Sequence, residues 1–168
     1  IKRRMRLIAD GKHYSNVCIA DVRGRSILCL DRESINSIEY ENIDPKAIAD
    51  GKVALMDFHK SSDRRINMDV IVPILRGKTA TGAVILKIDP NRYLYPMIKK
   101  WPVPSKSAET FLVRREKDNV LFLNDLRFVG SSALTFKLPL ENKELPSVMA
   151  ITGHSGIVRG KDYRGVPV

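Results

Sequence analysis

The sequence predicts an α+β fold of two modules, each an antiparallel sheet flanked by helices, joined by a kinked helix. Three observations lead there. Short β-rich runs with alternating apolar residues recur along the chain, bounded by Gly, Pro, Asn and Asp. Their order (hairpin, helical excursion, further strands) occurs twice. Between the two occurrences, Asp89-Pro90 reads as an N-cap with proline at the first helical position, and Trp101-Pro102 as a stop.

Ile1, Met5 and Ile8 fall at i, i+4 and i+7, so the chain opens on a helix ending near Gly11. "YSNVCIAD" and "RSILCLD" form a hairpin around Gly24. "DPKAIADG" has an Asp-Pro start and a Gly stop, a short helix from about Asp44 to Asp50. "VALMDFH", "RINMDVIVPIL" and "TATGAVILKID" follow with tight connections, an antiparallel meander. In the connector, Leu94, Met97, Ile98 and Trp101 share one apolar stripe, and Pro96 inside it predicts the kink. The order then restarts. "AETFLVRRE" and "NVLFLND" flank a turn at Lys117-Asp118, "ALTFKLPL" is a strand, and "NKELPSVMAIT" is a short helix. "SGIVRGKDY" and "GVPV" open a second meander, which the chain leaves incomplete. The predicted boundaries are 1–89, 90–104 and 105–168.

At 168 residues and 43% hydrophobic content, the chain can form a core without staples and does not read as disordered. It has no run of about 18 apolar residues, so no membrane span lies within it. The net charge of +10 favours anionic surroundings. Its densest cluster is Lys2, Arg3, Arg4 and Arg6; elsewhere bases alternate with acids, the pattern of a solvated surface. Cys18 and Cys29 flank the "DVRGR" turn. With two central turn residues they would face each other and could bond. With Gly24 in a longer, bulged turn the register shifts and they face apart. The Asp-x-x-Gly spacing favours the second arrangement, so free, partly buried thiols are expected.

The segments "VCIADVRGRSIL", "VALMDFHKSSDRRINMDVIVPI", "GAVILKIDPNRYLYPMIKKWPVPSKSAETFLVRREKDNVLFLNDLR" and "GIVRGKDYRGVPV" resemble tandem PAS-like modules, the double Cache ectodomains of bacterial and archaeal receptors. The last two segments are the more specific. They resemble the module junction and second module of ectodomains attached to histidine kinases and diguanylate cyclases. The resemblance implies an extracytoplasmic sensor of a membrane-anchored protein, paired as a homodimer through the N-terminal helix with Ile1, Met5 and Ile8 in the seam. It also implies a small ligand held in the membrane-distal module.

Catalysis in this chain is not expected. His13 and His154 sit in turn-like contexts, no serine lies in a nucleophile elbow, and no Gly-rich loop precedes a helix. Neither a metal site nor a cofactor is expected. Strand alternation supplies the candidate ligand-binding residues. Val53, Leu55, Asp57 and His59 share one face of their strand; Arg65, Asn67 and Asp69 share one face of the next; Lys87 extends the Ile85 face. Asp57, Asp69 and Lys87 offer both signs of charge, suited to a small zwitterion or carboxylate. The plain alternative is that this polar face is solvated. Trp101 reads as an anchor seating the connector, and Tyr93 is placed to reach the pocket mouth. Two other functions compete. One is a basic nucleic-acid-binding module, which lacks an RNP-like strand, zinc spacing or a basic recognition helix. The other is a ligand-free spacer that relays signals by protein contact.

Overall fold

The structure, a computed structural model, describes residues 1–31, 45–61, 64–100 and 107–168. These form two compact units, Ile1–Leu94 and Tyr95–Val168.

The first unit is a five-stranded antiparallel sheet with a helix on each face. Helix α1 (Lys2–Lys12) leads into β1 (Asn16–Ala20) and β2 (Ser26–Cys29). Helix α2 (Pro45–Ala49) precedes β3 (Ala54–Lys60), β4 (Ile66–Arg76) and β5 (Thr79–Ile88). The strand order is β2-β1-β5-β4-β3, so the last strand returns to the centre beside the first. Alternation along the strands makes two apolar faces. Val17, Ile19, Leu28, Val84 and Leu86 meet Met5 and Ala9 of α1. Cys18, Ala20, Cys29, Ile71, Ala83 and Ile85 meet Ile48 of α2.

Met5 and Ala9 lie four apart on α1, the spacing that puts two side chains on one face. Met5 is therefore spent on its own sheet, and the apolar residues that α1 leaves exposed are Ile1, Leu7 and Ile8. Gly82 lies where β5 runs against the backbone of the β1–β2 hairpin. A Cβ there would meet the backbone oxygen of Ala20 at 2.5 Å.

The hairpin corrects the expectation of free thiols: Cys18 and Cys29 form a disulfide. The turn is the longer type, with Gly24 left-handed at φ 80°. Asp21 Oδ1 accepts the backbone N–H groups of Arg23 and Arg25 at 2.8 and 2.9 Å. The register then absorbs the extra residue. Ala20 pairs with Ser26 but Ile19 pairs with Leu28, so Ile27 bulges and Cys18 comes directly opposite Cys29. The sequence reading counted the turn residues correctly and missed the compensating bulge.

In the second unit, β6 (Val113–Glu116), β7 (Asn119–Phe122) and β8 (Lys137–Pro139) form a three-stranded antiparallel sheet, followed by helix α4 (Pro146–Ile151). The core is Val120, Phe122, Leu126, Leu145 and Val148, with Phe111, Phe136 and Tyr163 packed against it. The predicted Lys117 turn is present, with Lys117 at φ 55°. The strand predicted from Ala133 is shorter than expected, because Thr135 and Phe136 both return their N–H groups to Ser132 O in a turn. The second meander predicted after Ser155 is reduced to an isolated bridge, Lys161 with Pro167. It closes around Asp162–Gly165, where Asp162 Oδ1 accepts the N–H groups of Arg164 and Val166 at 2.8 and 3.1 Å. Gly165 has the same φ, 80°, as Gly24. "DVRG" and "DYRG" thus make one turn twice.

The connector is also shorter than expected. Helix α3 (Leu94–Lys99) starts at Leu94, so Pro96 falls in its first turn, where a missing N–H breaks no ladder bond, and the predicted kink has no cause. Tyr95 is the buried side chain, its hydroxyl donating to Leu123 O, while Met97 of the predicted stripe is exposed. Trp101 lies outside the described residues.

Candidate ligand-binding site

Register brings the predicted polar residues together at one end of the α2 face. On β5, Lys87 continues Ala83 and Ile85; on β4, Asn67 and Asp69 continue Ile71; on β1, Asn16 continues Cys18 and Ala20. Asn16 pairs with Lys87, and Lys87 with Asp69, so three polar side chains stand in a row across β1, β5 and β4. All are buried: Asn16 6%, Lys87 8% and Asp69 1% exposed, with Asn67 beside them at 8%. The solvated-face alternative does not describe this row.

His59 joins by a different route from the one predicted. Met56 pairs with Asp69 and His59 with Asn67, so three steps along β3 match two along β4. The extra residue at Asp57-Phe58 is a bulge, which reverses the alternation. Ala54 and Met56 pack on the inner core, Val53 and Leu55 point outward, and His59 returns to the Asp69 side. The four residues predicted to share a face are therefore divided. Asp57 is exposed, with Oδ1 accepting the N–H of Phe58 at 2.7 Å. Tyr93 is half-exposed and packs against His13 with the rings tilted, centroids 4.8 Å apart.

The side chains in the row differ in what they already hold. Asn16 Oδ1 accepts the N–H groups of Val17 and Asp31, fixing the exit from β2. Asn67 Nδ2 donates to Ser61 Oγ and Arg65 O, fixing the β3–β4 connection. His59 Nδ1 lies 3.0 Å from Asp57 O; a carbonyl only accepts, so the ring proton sits on Nδ1. Its Nε2 is 3.7 Å from Asp69 Oδ2, beyond hydrogen-bond reach. Both carboxylate oxygens of Asp69 are buried without a hydrogen-bond donor. Burial pushes the Asp69 carboxyl above the usual range, opposed by the charge of Lys87 and then by His59. A buried carboxylate without donors costs several kcal/mol of lost hydration, about 1–3 kcal/mol of it as unmade hydrogen bonds.

Of the predicted residues, the structure thus gathers His59, Asn67, Asp69 and Lys87 and leaves out Asp57 and Tyr93. Asn16 was missed. Its signal was available, since it lies two residues before Cys18 on the strand that the topology sets beside β5.

The second unit has a concavity of about 350 Å³ walled by Phe111, Phe122 and Tyr163. Its polar groups are already paired: Tyr163 donates to Glu109 Oε2 at 2.6 Å, and Arg164 bridges Asp162. Only the Asp69 row holds a buried charge with unmet hydrogen-bonding capacity among the described residues. Compared with known proteins, the chain matches no family model, and no curated protein matches it.

Proposed function

We propose that this chain is the ligand-sensing ectodomain of a membrane-anchored signal-transduction receptor. The first unit is a PAS-like module of Cache type that binds a small polar or charged metabolite. The observation that carries the reading is Asp69, buried without a hydrogen-bond donor in a row with Lys87 and His59. A fold retains such a group at a cost to stability, and a cost of that kind concentrates at functional sites. The strand order β2-β1-β5-β4-β3, with a helical excursion between hairpin and meander, supports the PAS-like reading. The Cys18–Cys29 disulfide supports an oxidising, extracytoplasmic setting.

A route from the site to the N-terminal helix is short. Lys87 O accepts both the N–H of Ser15, at 2.8 Å, and its Oγ–H, at 3.1 Å. Ser15 follows the left-handed His13 that caps α1. A ligand that repositions the end of β5 pulls on the exit of α1, and differential affinity for two positions of that strand shifts the equilibrium between them. In a homodimer, Ile1, Leu7 and Ile8 form the seam on α1, in place of the seam containing Met5.

Thermal unfolding against a panel of amino acids, amines, organic acids and polyols tests this. A true ligand raises the midpoint with its concentration and saturates, because it binds only the folded chain. A flat response across the panel favours the ligand-free spacer. Binding of mixed-sequence RNA or DNA that falls steeply with salt favours the nucleic-acid module.

A further inference from the structure

We infer that the site recognises a protonated amino group, with Asp69 as its anchor and entry past His59. The inference rests on the sensor reading above and narrows it to one ligand chemistry. It starts from what the row lacks. Asn16 and Asn67 are committed to loop N–H, hydroxyl and carbonyl groups on either side. Lys87 faces Asp69 across β4 and β5, yet neither oxygen of Asp69 accepts a hydrogen bond from it. The capacity left over is that of an acceptor: a carboxylate with two oxygens and about four lone-pair positions, none used.

A carboxylate or phosphate ligand cannot meet that need, because it brings only acceptors and a like charge. A neutral hydroxyl brings a donor without a charge. An ammonium brings three donors and the opposite charge, and charge-assisted bonds are about twice as strong as neutral ones. His59 marks the way in. It is the most exposed member of the row, a quarter accessible, and Nε2 stands 3.7 Å from Asp69 Oδ2 without bonding to it. In the neutral ring whose N–H on Nδ1 faces Asp57 O, Nε2 is an acceptor for an incoming N–H. Asp69 and His59 Nε2 together present acceptors to one small donor-rich head group. Lys87 opposes the charge of Asp69 before the ligand arrives.

Three probes of similar size separate the possibilities: n-propylamine, propionate and β-alanine, each titrated against the whole 168-residue chain in thermal unfolding and calorimetry. The panel compounds that stabilise the chain are treated in the same way. Propylamine and β-alanine are expected to raise the midpoint saturably, and propionate is not. Asp69→Asn keeps the shape and removes the charge; it should weaken the amine-bearing ligands about ten- to hundredfold. Because a substitution in a core can disturb folding, Lys87→Met is the second variant. It should leave the propylamine response in place, while a carboxylate-binding site would lose its response. Stabilisation by propionate equal to that by β-alanine, or an amine response that survives Asp69→Asn, overturns the inference and leaves the sensor reading standing. The same holds if the panel's ligands carry no amino group. No response to any probe or panel compound overturns both.

Discussion

Asp69 and Lys87 are direct register partners across β4 and β5, both buried, and no hydrogen bond joins them. An opposite-charge pair so placed would ordinarily close to a bonded contact. Here Lys87 affects Asp69 through its field alone, opposing the upward pull of burial on the carboxyl.

Asp69→Asn should therefore stabilise the ligand-free chain or leave it unchanged near neutral pH, against the usual direction for a core substitution. The native carboxyl is raised above its unfolded value, so the native state holds the proton more tightly. The contribution is fully present below the unfolded carboxylate range, around pH 4, and is lost as pH rises through the higher native value. Urea unfolding of wild type across pH 4–7 should show that decline, and the Asn variant should flatten it. A parallel decline in both proteins would disprove the assignment.

Reducing Cys18–Cys29, or replacing both by Ala, removes a cross-link with a sequence separation of 11. Chain-entropy reasoning puts the loss at about 3 kcal/mol. The denaturant midpoint of the first unit should fall under thiol reductant while the second unit, which holds no cysteine, is unaffected. Amide hydrogen exchange reads the two units separately.

Gly82→Ala should destabilise the first unit by roughly 1–3 kcal/mol, because the added methyl meets backbone and not a flexible side chain. Gly11→Ala is the control. That position lies in α1 with nothing near its would-be Cβ, so the substitution should stabilise, in line with helix propensity. If the two variants have equal stability, the close approach to Ala20 is not real.

Tyr163 is pushed up to about 12, first by burial and then by its hydrogen bond to Glu109. A phenol whose native value is raised stabilises the fold below the unfolded value of about 10, and that contribution is lost as pH rises from there through the higher native value. In an ultraviolet difference titration of the chain's five tyrosines, Tyr163→Phe should remove one tyrosine's share of the late-ionising absorbance. The same substitution should cost about 1 kcal/mol, the usual net value of one hydrogen bond.

The strands of the first unit were legible because each alternates with period two, and the connection lengths allowed only a meander. What the sequence reading missed came from single extra residues. Ile27 and the Asp57-Phe58 pair are bulges. Nothing in the residue types marks either position, yet each moves every following side chain to the other face. That is why the sequence predicts Cys18 and Cys29 apart, and Val53, Leu55, Asp57 and His59 on one shared face. The charged row was foreseen in part: Asp69 and Lys87 stand out as polar residues in apolar strands, whereas Asn16 becomes visible only when β5 is placed beside β1. In the second unit, "SGIVRGKDY" has β-rich composition, but Gly156 and Gly160 interrupt it and Gly165 follows it, with Gly156 and Gly165 at positive φ. Pairing there shrinks to one bridge.

The repeated Asp-x-Arg-Gly corner carries its own instructions. In each copy one aspartate takes two backbone N–H groups, and the N–H of the glycine three places on returns to that aspartate's carbonyl, at 3.0 Å in one corner and 2.9 Å in the other. Every partner lies within four residues. Such a corner forms on the timescale of a short loop closing, tens of nanoseconds, before any distant strand has arrived. Each unit therefore carries a self-assembling bend that can seed its own pairing early, and transplanting one tetrapeptide into the other's place should leave both hairpins intact.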